Sequence, residues 1–143
     1  AIIKFGKTFL LDSEKEQLPL EIFGAHNLMN LNAAKLACLE AGINEKEFYE
    51  AIKSFKGAAR RLEKLAENDD AVIYKDFAHS PSKLKATVEA VKQQYPERKL
   101  IACIELHTFS SLNRNFLNEY AYTLNHADEA IVLIDDKVVK QKG

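Results

Sequence analysis

The sequence has almost no net charge and no long apolar run, and each absence excludes a class of protein. A formal net charge of −1 over 143 residues gives no long-range attraction to nucleic acid or to an anionic membrane. No apolar stretch approaches the roughly 18 residues of a membrane span, and no signal peptide opens the chain. With 47% hydrophobic and 29% charged residues, the composition is typical of a soluble globular protein. We therefore expect a cytoplasmic protein without nucleic-acid or membrane partners.

Cysteine is scarce as well, and its positions argue against a disulfide. Cys38 and Cys103 each lie inside an apolar run, where a cysteine is usually a reduced core residue. The four histidines never fall at the spacing of zinc ligands. The sequence therefore predicts no metal-binding site.

The first part of the chain is predicted to form short strands followed by two helices. The first helix runs from about His26 to Ala41 and is apolar around most of its surface, which favours packing on more than one side. Gly42 stands where a left-handed C-terminal cap belongs. Asn44 and Glu47 are spaced as a capping pair that starts the second helix.

From about Arg60 onward, three short apolar runs alternate with amphipathic segments. The runs, at residues 71–74, 100–104 and 130–134, suit strands of a parallel sheet that is buried on both faces. The two intervening helices would carry Leu84, Val88, Val91 and Tyr95, and then Leu117, Tyr120, Ala121 and Leu124. This alternation predicts a doubly wound α/β domain over residues 58–143, preceded by the tail of another domain over residues 1–57.

Polar residues follow each of the three apolar runs. Ligands of open parallel sheets bind beyond the carboxyl ends of the strands, so these residues are the first candidates for a site. They are Asp76 and His79, then Glu105 and His107, then Asp135 and Asp136. Ser80 and Pro81 favour a helix start directly after His79. The alternative is that Asp76 and His79 only stabilise this turn.

Two further groups of polar residues have both a functional and a structural interpretation. Asn27 and Asn30 lie three residues apart near a helix start, and an amide can bind an adenine edge or can cap a helix. The adjacent pair Arg60–Arg61 can bind phosphate or ribose through the guanidinium group. More often such a pair forms a solvated or ion-paired face, and Glu63 and Glu67 are close enough to serve as partners.

The opening residues 1–8 fit a loosened phosphate-loop pattern that ends in Gly6, Lys7 and Thr8, with alanine in place of the first glycine. A true phosphate loop opens a helix, whereas Ile2, Ile3 and Phe5 favour extended backbone. A hairpin that turns at Gly6 and Lys7 explains the segment better.

Three motifs follow one another along the chain: G-x-H-N-x-x-N at 24–30, the arginine segment at 57–63, and D-F-A-H-S-P at 76–81. In this order and at this spacing they resemble the Mur ligase family, the ATP-dependent enzymes that form amide bonds in peptidoglycan synthesis and recycling. The resemblance runs from about Leu18 to the end of the chain. It implies the tail of a central ATPase domain followed by a Rossmann-like C-terminal domain that ends early, at Gly143, and is therefore truncated.

The resemblance also implies a nucleotide site. Asn27 and Asn30 would contact adenine, Arg61 would reach the ribose and phosphates, and Asp76 would bind the ribose hydroxyls across the domain junction. His79 would lie at the same junction, close to the incoming substrate, and is the candidate catalytic residue.

Glu105 and His107 are the remaining candidates for substrate binding. They belong to segment 105–111, which occupies the place of a Pro-His-Arg or Glu-Pro-Arg motif of the family and departs from it. Lys75 and Ser80 also depart from the common form of the third motif.

The chemistry implied by the family is a two-step ligation that uses ATP and Mg²⁺ in cell-wall biogenesis and the maintenance of cell shape. ATP phosphorylates a carboxylate of a UDP-sugar, and an amine then attacks the acyl phosphate. Segment 54–61 and residues 76–79 look most like the murein peptide ligase branch, which joins UDP-N-acetylmuramate to a recycled tripeptide. Because the phosphate loop and the magnesium ligands lie outside this chain, the chain alone should be inactive.

Two alternatives remain open. The first is the neighbouring branch, which joins UDP-N-acetylmuramate to L-alanine. The second is a non-enzymatic α/β binding module, in which Asn30, Arg61 and Asp76 would be scattered. The sequence does not indicate an oligomeric state.

Overall fold

A computed structural model describes residues 1–11, 16–108 and 110–134 of the chain. The chain forms two compact units, Ala1–Asp76 and Phe77–Gly143, and each has its own hydrophobic core. The predicted domain boundary between residues 57 and 58 stays a prediction. Asp135 and Asp136, which were expected to follow the third apolar run, lie outside the described residues.

The first unit opens with a three-stranded antiparallel sheet. Its strands are β1 (Ile2–Lys4), β2 (Lys7–Leu11) and β3 (Gln17–Leu20), in the order β1-β2-β3. Lys4 pairs with Lys7, so the hairpin loop is Phe5–Gly6, and both loop residues have positive φ (51° and 69°). The predicted hairpin is confirmed, with the turn one residue earlier than expected. The phosphate-loop alternative is wrong, because Lys7 begins a strand and not a helix.

Two helices follow, and their local start and stop signals are confirmed. Helix α1 spans Ala25–Glu40 and α2 spans Glu45–Ile52. Gly42 adopts φ 89°, and the amides of Gly42 and Ile43 donate to helix carbonyls at 3.0 Å each. Such a left-handed glycine satisfies the last carbonyls of a helix. The Asn44 side chain and its partner three residues on form the predicted capping box.

The core of the first unit covers only one side of α1. Its buried residues are Leu18, Leu20, Ile22, Leu31 and Phe48. On the other side of the helix, Met29 is 73% exposed and Leu36 is 55% exposed. This side forms a shallow apolar groove lined by Ala25, Leu28, Met29, Asn32, Ala33 and Leu36. The expected packing on more than one side is therefore not seen within the described part of the chain.

The first unit ends in a second hairpin that the sequence did not predict. Strand β4 (Glu63–Glu67) pairs antiparallel with β5 (Val72–Lys75). The side-chain oxygen of Asn68 accepts hydrogen bonds from the amides of Asp70 and Ala71, at 3.0 and 2.7 Å. This Asx-type turn directs β5 back along β4. The first apolar run is thus a hairpin strand and not a strand of a parallel sheet.

The second unit has the α/β arrangement expected from the sequence. Helix α3 (Pro81–Gln94) lies between β5 and β6 in sequence, and β6 (Ile101–Leu106) pairs in parallel with β7 (Glu129–Ile134). The core that α3 and β6 form consists of Leu84, Val88, Ile104 and Leu106. Pro81 is the first helical residue, as predicted. No helix in the described part of the chain is long and apolar enough to cross a membrane.

The second predicted helix of this unit is broken into short pieces. Helix α4 covers only Arg114–Leu117 and is followed by a 3₁₀ turn at Asn118–Tyr120. Ala121 has an extended ψ of 135° and Tyr122 a left-handed φ of 64°, so helical geometry cannot continue. Tyr120 and Leu124 nevertheless pack against the core, which explains their helix-like apolar spacing.

Neither strand of the parallel pair is buried on both faces. In β6, Ile104 and Leu106 face the core, whereas Ile101 and Cys103 are exposed. All of β7 is exposed. The expectation that Cys103 is a core residue is therefore wrong, whereas Cys38 is partly buried and packs against the first core. Both thiols are free.

Candidate functional site

The segment that carries Arg61 has an unusual backbone. Arg60 has φ 57° and Leu62 has φ 47°, so the residues on both sides of Arg61 are left-handed. Non-glycine residues rarely adopt this conformation, and it costs roughly 1–2 kcal/mol for each residue. Gly57, at the start of the same segment, has φ 92°. Strain of this kind is concentrated at functional sites, where the surrounding structure holds it in place.

Hydrogen bonds hold all three consecutive amides of this segment. The amide of Arg61 donates to the carbonyl of Ala58 at 3.1 Å. The amide of Arg60 donates to Oε2 of Glu63 at 2.8 Å, and the amide of Leu62 donates to Oδ2 of Asp76 at 2.8 Å. The Arg61 side chain, which is exposed, thus stands on backbone that two carboxylates bind.

The carboxylates near the arginine pair do not act as the sequence suggested. Glu63 binds the backbone of Arg60, and Glu67 forms an ion pair with Lys64 at 2.7 Å. The proposed ion pairs between these glutamates and the arginine pair are therefore wrong.

Asn27 is linked to the same region of the first unit. Its Nδ2 donates to the carbonyl of Phe23 at 2.9 Å, which ties the first turn of α1 to the residue before Gly24. The Phe23 ring packs edge-on against the Tyr74 ring at 5.2 Å, and Tyr74 lies in β5, two residues before Asp76. A continuous set of contacts thus joins Asn27 to Asp76 and to the Arg61 segment. Asn30 lies on α1 after Asn27 and is exposed.

His79 belongs to the second unit and lies in the turn before α3. Its Nδ1 is 3.0 Å from the carbonyl of Phe77, and its ring packs against the Phe77 ring at 5.0 Å. The hydroxyl of Tyr120 donates to the carbonyl of His79 at 2.6 Å, and burial raises the pKa of Tyr120. The His79 side chain is exposed. Ser80 precedes α3 without a side-chain capping bond.

Glu105 and His107 lie at the carboxyl end of β6, and both are exposed. Thr108 and Ser111, which come shortly after them, form hydrogen bonds with each other that sequence reasoning missed. The amide of Thr108 donates to Oγ of Ser111 at 3.0 Å, and the amide of Ser111 donates to Oγ1 of Thr108 at 3.1 Å. Ser111 is only 1% exposed. This reciprocal pair ties Thr108 to Ser111, and its signal in the sequence is the Thr-x-x-Ser spacing.

The chain matches the model of a known protein family. The model of the family described as "Mur ligase, glutamate ligase domain" matches residues 60–142, which is more than half of the chain. This chain belongs to the Mur ligase family. The match begins at the Arg60–Leu62 segment and includes β4 to β7.

Two curated relatives of the chain are ligases with the same name. The chain is 33% identical over 113 residues to the UDP-N-acetylmuramate–L-alanine ligase of Desulfitobacterium hafniense. This alignment covers 79% of this chain and 25% of the relative. The ligase of the same name from Caldicellulosiruptor bescii is 39% identical over 115 residues. That alignment covers 80% of this chain and 25% of the relative. The chain thus spans about a quarter of the length of these relatives.

A solved structure shows the same fold. The crystal structure of the UDP-N-acetylmuramate–alanine ligase from Thermotoga maritima matches with a TM-score of 0.71, at 22% identity, over 88% of this chain and 28% of that one. At this level of identity the match supports the α/β fold assignment alone.

Proposed function

We propose that this chain is the C-terminal part of an ATP-dependent ligase that joins UDP-N-acetylmuramate to the amine of a murein tripeptide. In this reaction the carboxylate takes the γ-phosphoryl group of ATP to give an acyl phosphate and ADP. The amine then attacks the acyl carbon, and phosphate leaves as the amide forms. The observation that carries the proposal is the family match, which begins at the strained Arg61 segment.

The first unit supports a nucleotide site that uses four residues. Asn27 and Asn30 would bind the adenine edge, since an amide offers a donor and an acceptor together. Arg61 would contact the ribose and phosphates through its guanidinium group, which suits bidentate binding of phosphate. Asp76 would bind the ribose hydroxyls. A carboxylate has about four acceptor positions, so the bond from Leu62 to its Oδ2 leaves capacity for the sugar.

The contacts of these residues argue against a non-enzymatic binding module. Such a module predicts that the motif residues are scattered, whereas Asn27, Asp76 and the Arg61 segment are connected through Phe23, Tyr74 and Leu62. Asn30 lies on the same helix as Asn27.

The second unit would supply the contacts with the substrates. His79, in the turn that Phe77 and Tyr120 hold, would lie near the incoming amine. Glu105 and His107 would contact the amine-bearing substrate, and the hydrogen bonds between Thr108 and Ser111 would hold the backbone next to them. Because the segment departs from the family motif, we propose that it contributes to the choice of amine.

Magnesium would shield the charge of the transferred phosphoryl group. We assign its ligands to sequence outside this chain, as the family resemblance implies. Within the described residues, no three His, Cys, Asp or Glu side chains cluster as metal ligands would.

The similarity to curated relatives supports a second candidate for the amine, free L-alanine. The two relatives described above are both named UDP-N-acetylmuramate–L-alanine ligases. The tripeptide is supported instead by segment 54–61 and residues 76–79 of this chain, which look most like the murein peptide ligase branch. Both candidates share UDP-N-acetylmuramate as the substrate that supplies the carboxylate.

Release of ADP by the full-length protein distinguishes the two candidates. UDP-N-acetylmuramate, ATP and Mg²⁺ are supplied with either L-alanine or the L-alanyl-γ-D-glutamyl-meso-diaminopimelate tripeptide. We expect turnover with the tripeptide and not with L-alanine. Turnover with L-alanine alone would replace the tripeptide by the second candidate. Turnover with neither amine would contradict the proposed substrate class.

A further inference from the structure

We propose that Glu63 is a positioning residue that holds the Arg61 side chain in its nucleotide-binding orientation. This inference rests on the proposed function, in which Arg61 contacts ATP. The carboxylate of Glu63 reaches back three residues to accept the amide hydrogen of Arg60 at 2.8 Å. It therefore acts on the residue directly before the arginine, and not on the arginine side chain itself.

The backbone of the segment explains why such a residue is needed. Arg60 (φ 57°) and Leu62 (φ 47°) are both left-handed, a conformation that side-chain-bearing residues avoid in the absence of a constraint. If either residue returned to a right-handed conformation, the direction of the Cα–Cβ bond of Arg61 would change. The exposed guanidinium group would then point elsewhere.

Two carboxylates constrain this backbone, one before and one after Arg61 in the sequence. Asp76 holds the amide that follows Arg61, through Leu62, and Glu63 holds the amide that precedes it, through Arg60. Asp76 is already a candidate ribose ligand, so its replacement would alter two functions at once. Glu63 carries no such second role in the proposed site, and its replacement isolates the positioning effect.

Glu63 is also the first residue of β4, so the strand holds the backbone from which its side chain extends. The strand pairs with β5 from Glu63, opposite Lys75, to Glu67. The side chain is partly buried. A glutamate anchored in a hairpin and bonded to a strained amide is better suited to hold a loop than to attract a ligand from solvent.

The test is calorimetric titration of the full-length protein with ATP and Mg²⁺. We expect Glu63→Ala to weaken ATP binding by about tenfold, the order expected when an amide loses a charged acceptor. Glu63→Gln should bind within about twofold of the wild type, because its amide oxygen still accepts the same hydrogen bond. Glu67→Ala is the matched control in the same strand and should also stay within about twofold, since an exposed ion pair contributes little.

The stoichiometry of the titration separates positioning from loss of fold. A variant that merely unfolds lowers the number of sites per protein, whereas misplacement of Arg61 raises Kd at unchanged stoichiometry. Arg61→Ala is measured alongside. If Arg61→Ala weakens binding and Glu63→Ala does not, the inference is wrong and the nucleotide site stands.

Three further outcomes are decisive. If Glu63→Gln is as weak as Glu63→Ala, the charge matters and not the hydrogen bond, which overturns the positioning role. If neither Arg61→Ala nor Glu63→Ala changes Kd, or if the wild type binds no ATP, the nucleotide assignment of Arg61 fails together with the inference. ATP binding that responds as expected, in a protein without ligase activity, would support the inference and would contradict only the proposed reaction.

Discussion

A methyl group at Gly57 should destabilise the protein more than the same change at Gly42. Both glycines have nearly the same positive φ, 92° and 89°. A Cβ atom at Gly42 would meet nothing within 4 Å, whereas one at Gly57 would lie 3.2 Å from Cγ2 of Ile22. Since Ile22 is a buried residue of the first core, it can yield only at the expense of its own packing. Alanine at either position thus has the same cost of a left-handed backbone, and only alanine at Gly57 adds a steric clash.

The expected magnitudes follow from these two terms. An L-residue in a left-handed conformation costs roughly 1–2 kcal/mol, and alanine recovers about 0.5 kcal/mol by restricting the unfolded chain. Gly42→Ala should therefore lower the free energy of unfolding by about 1 kcal/mol. Overpacking of a buried site typically costs about 1–3 kcal/mol. Gly57→Ala should therefore lower the free energy of unfolding by about 1 kcal/mol more than Gly42→Ala does.

Urea unfolding, analysed by linear extrapolation, measures both values. A double variant with Ile22→Ala removes the contacted Cγ2 and should cancel the additional loss, which appears as a coupling energy of about 1 kcal/mol between the two sites. Equal losses for the two glycine variants would refute the close approach of Gly57 to Ile22. No loss at either position would refute the left-handed backbone.

Three other perturbations test local features of the fold. Phe5→Asn should stabilise the protein by about 0.5–1 kcal/mol in thermal or urea unfolding, because asparagine tolerates positive φ at this turn position before Gly6. Asn44→Ala should lower the free energy of unfolding by about 1 kcal/mol through loss of the α2 capping box. A hydrogen bond from the backbone amide of Leu100, and then one from the side chain of Lys92, lower the pKa of Asp128. This group stabilises the fold above the ordinary aspartate pKa, so the difference in stability between wild type and Asp128→Ala should shrink as the pH falls below about 4.

Each of these three predictions has a control variant or an outcome that would contradict it. Phe5→Ala removes the exposed phenyl group without a residue suited to positive φ, and a gain as large as that of Phe5→Asn would show that the turn is not the cause. Glu47→Gln keeps a side-chain acceptor for the other half of the capping box and should lose less than Asn44→Ala. A constant difference between wild type and Asp128→Ala from pH 7 to pH 3 would contradict the lowered pKa of Asp128.

Local signals were enough to predict the first unit's helices. Gly42 and Asn44 act within one turn of their own helices, so neighbouring residues alone determine what they do. The Asx turn at Asn68 is equally local. The apolar run after it indicates a strand but does not identify its partner, so the sequence alone does not predict β4. A polar turn residue before an apolar run therefore favours a hairpin as much as a parallel strand.

Other features depend on distant contacts and are not visible in a single sequence. Arg60, Leu62 and Tyr122 adopt positive φ without being glycine, and only the surrounding structure can impose this. Cys103 is exposed because the structure covers one face of β6 and not the other, which an apolar run alone cannot reveal. The candidate site was predicted from motifs, whereas the contact of Glu63 with Arg60 required coordinates.

One assay tests both the proposed nucleotide site and the proposed reaction on UDP-N-acetylmuramate. Release of ADP is measured for the full-length protein, wild type and Arg61→Ala, with ATP, Mg²⁺, UDP-N-acetylmuramate and both amines present. We expect ADP release that requires UDP-N-acetylmuramate in the wild type and an increased KM for ATP in the variant. ADP release that does not require UDP-N-acetylmuramate, or an unchanged KM for ATP in the variant, would refute the proposal.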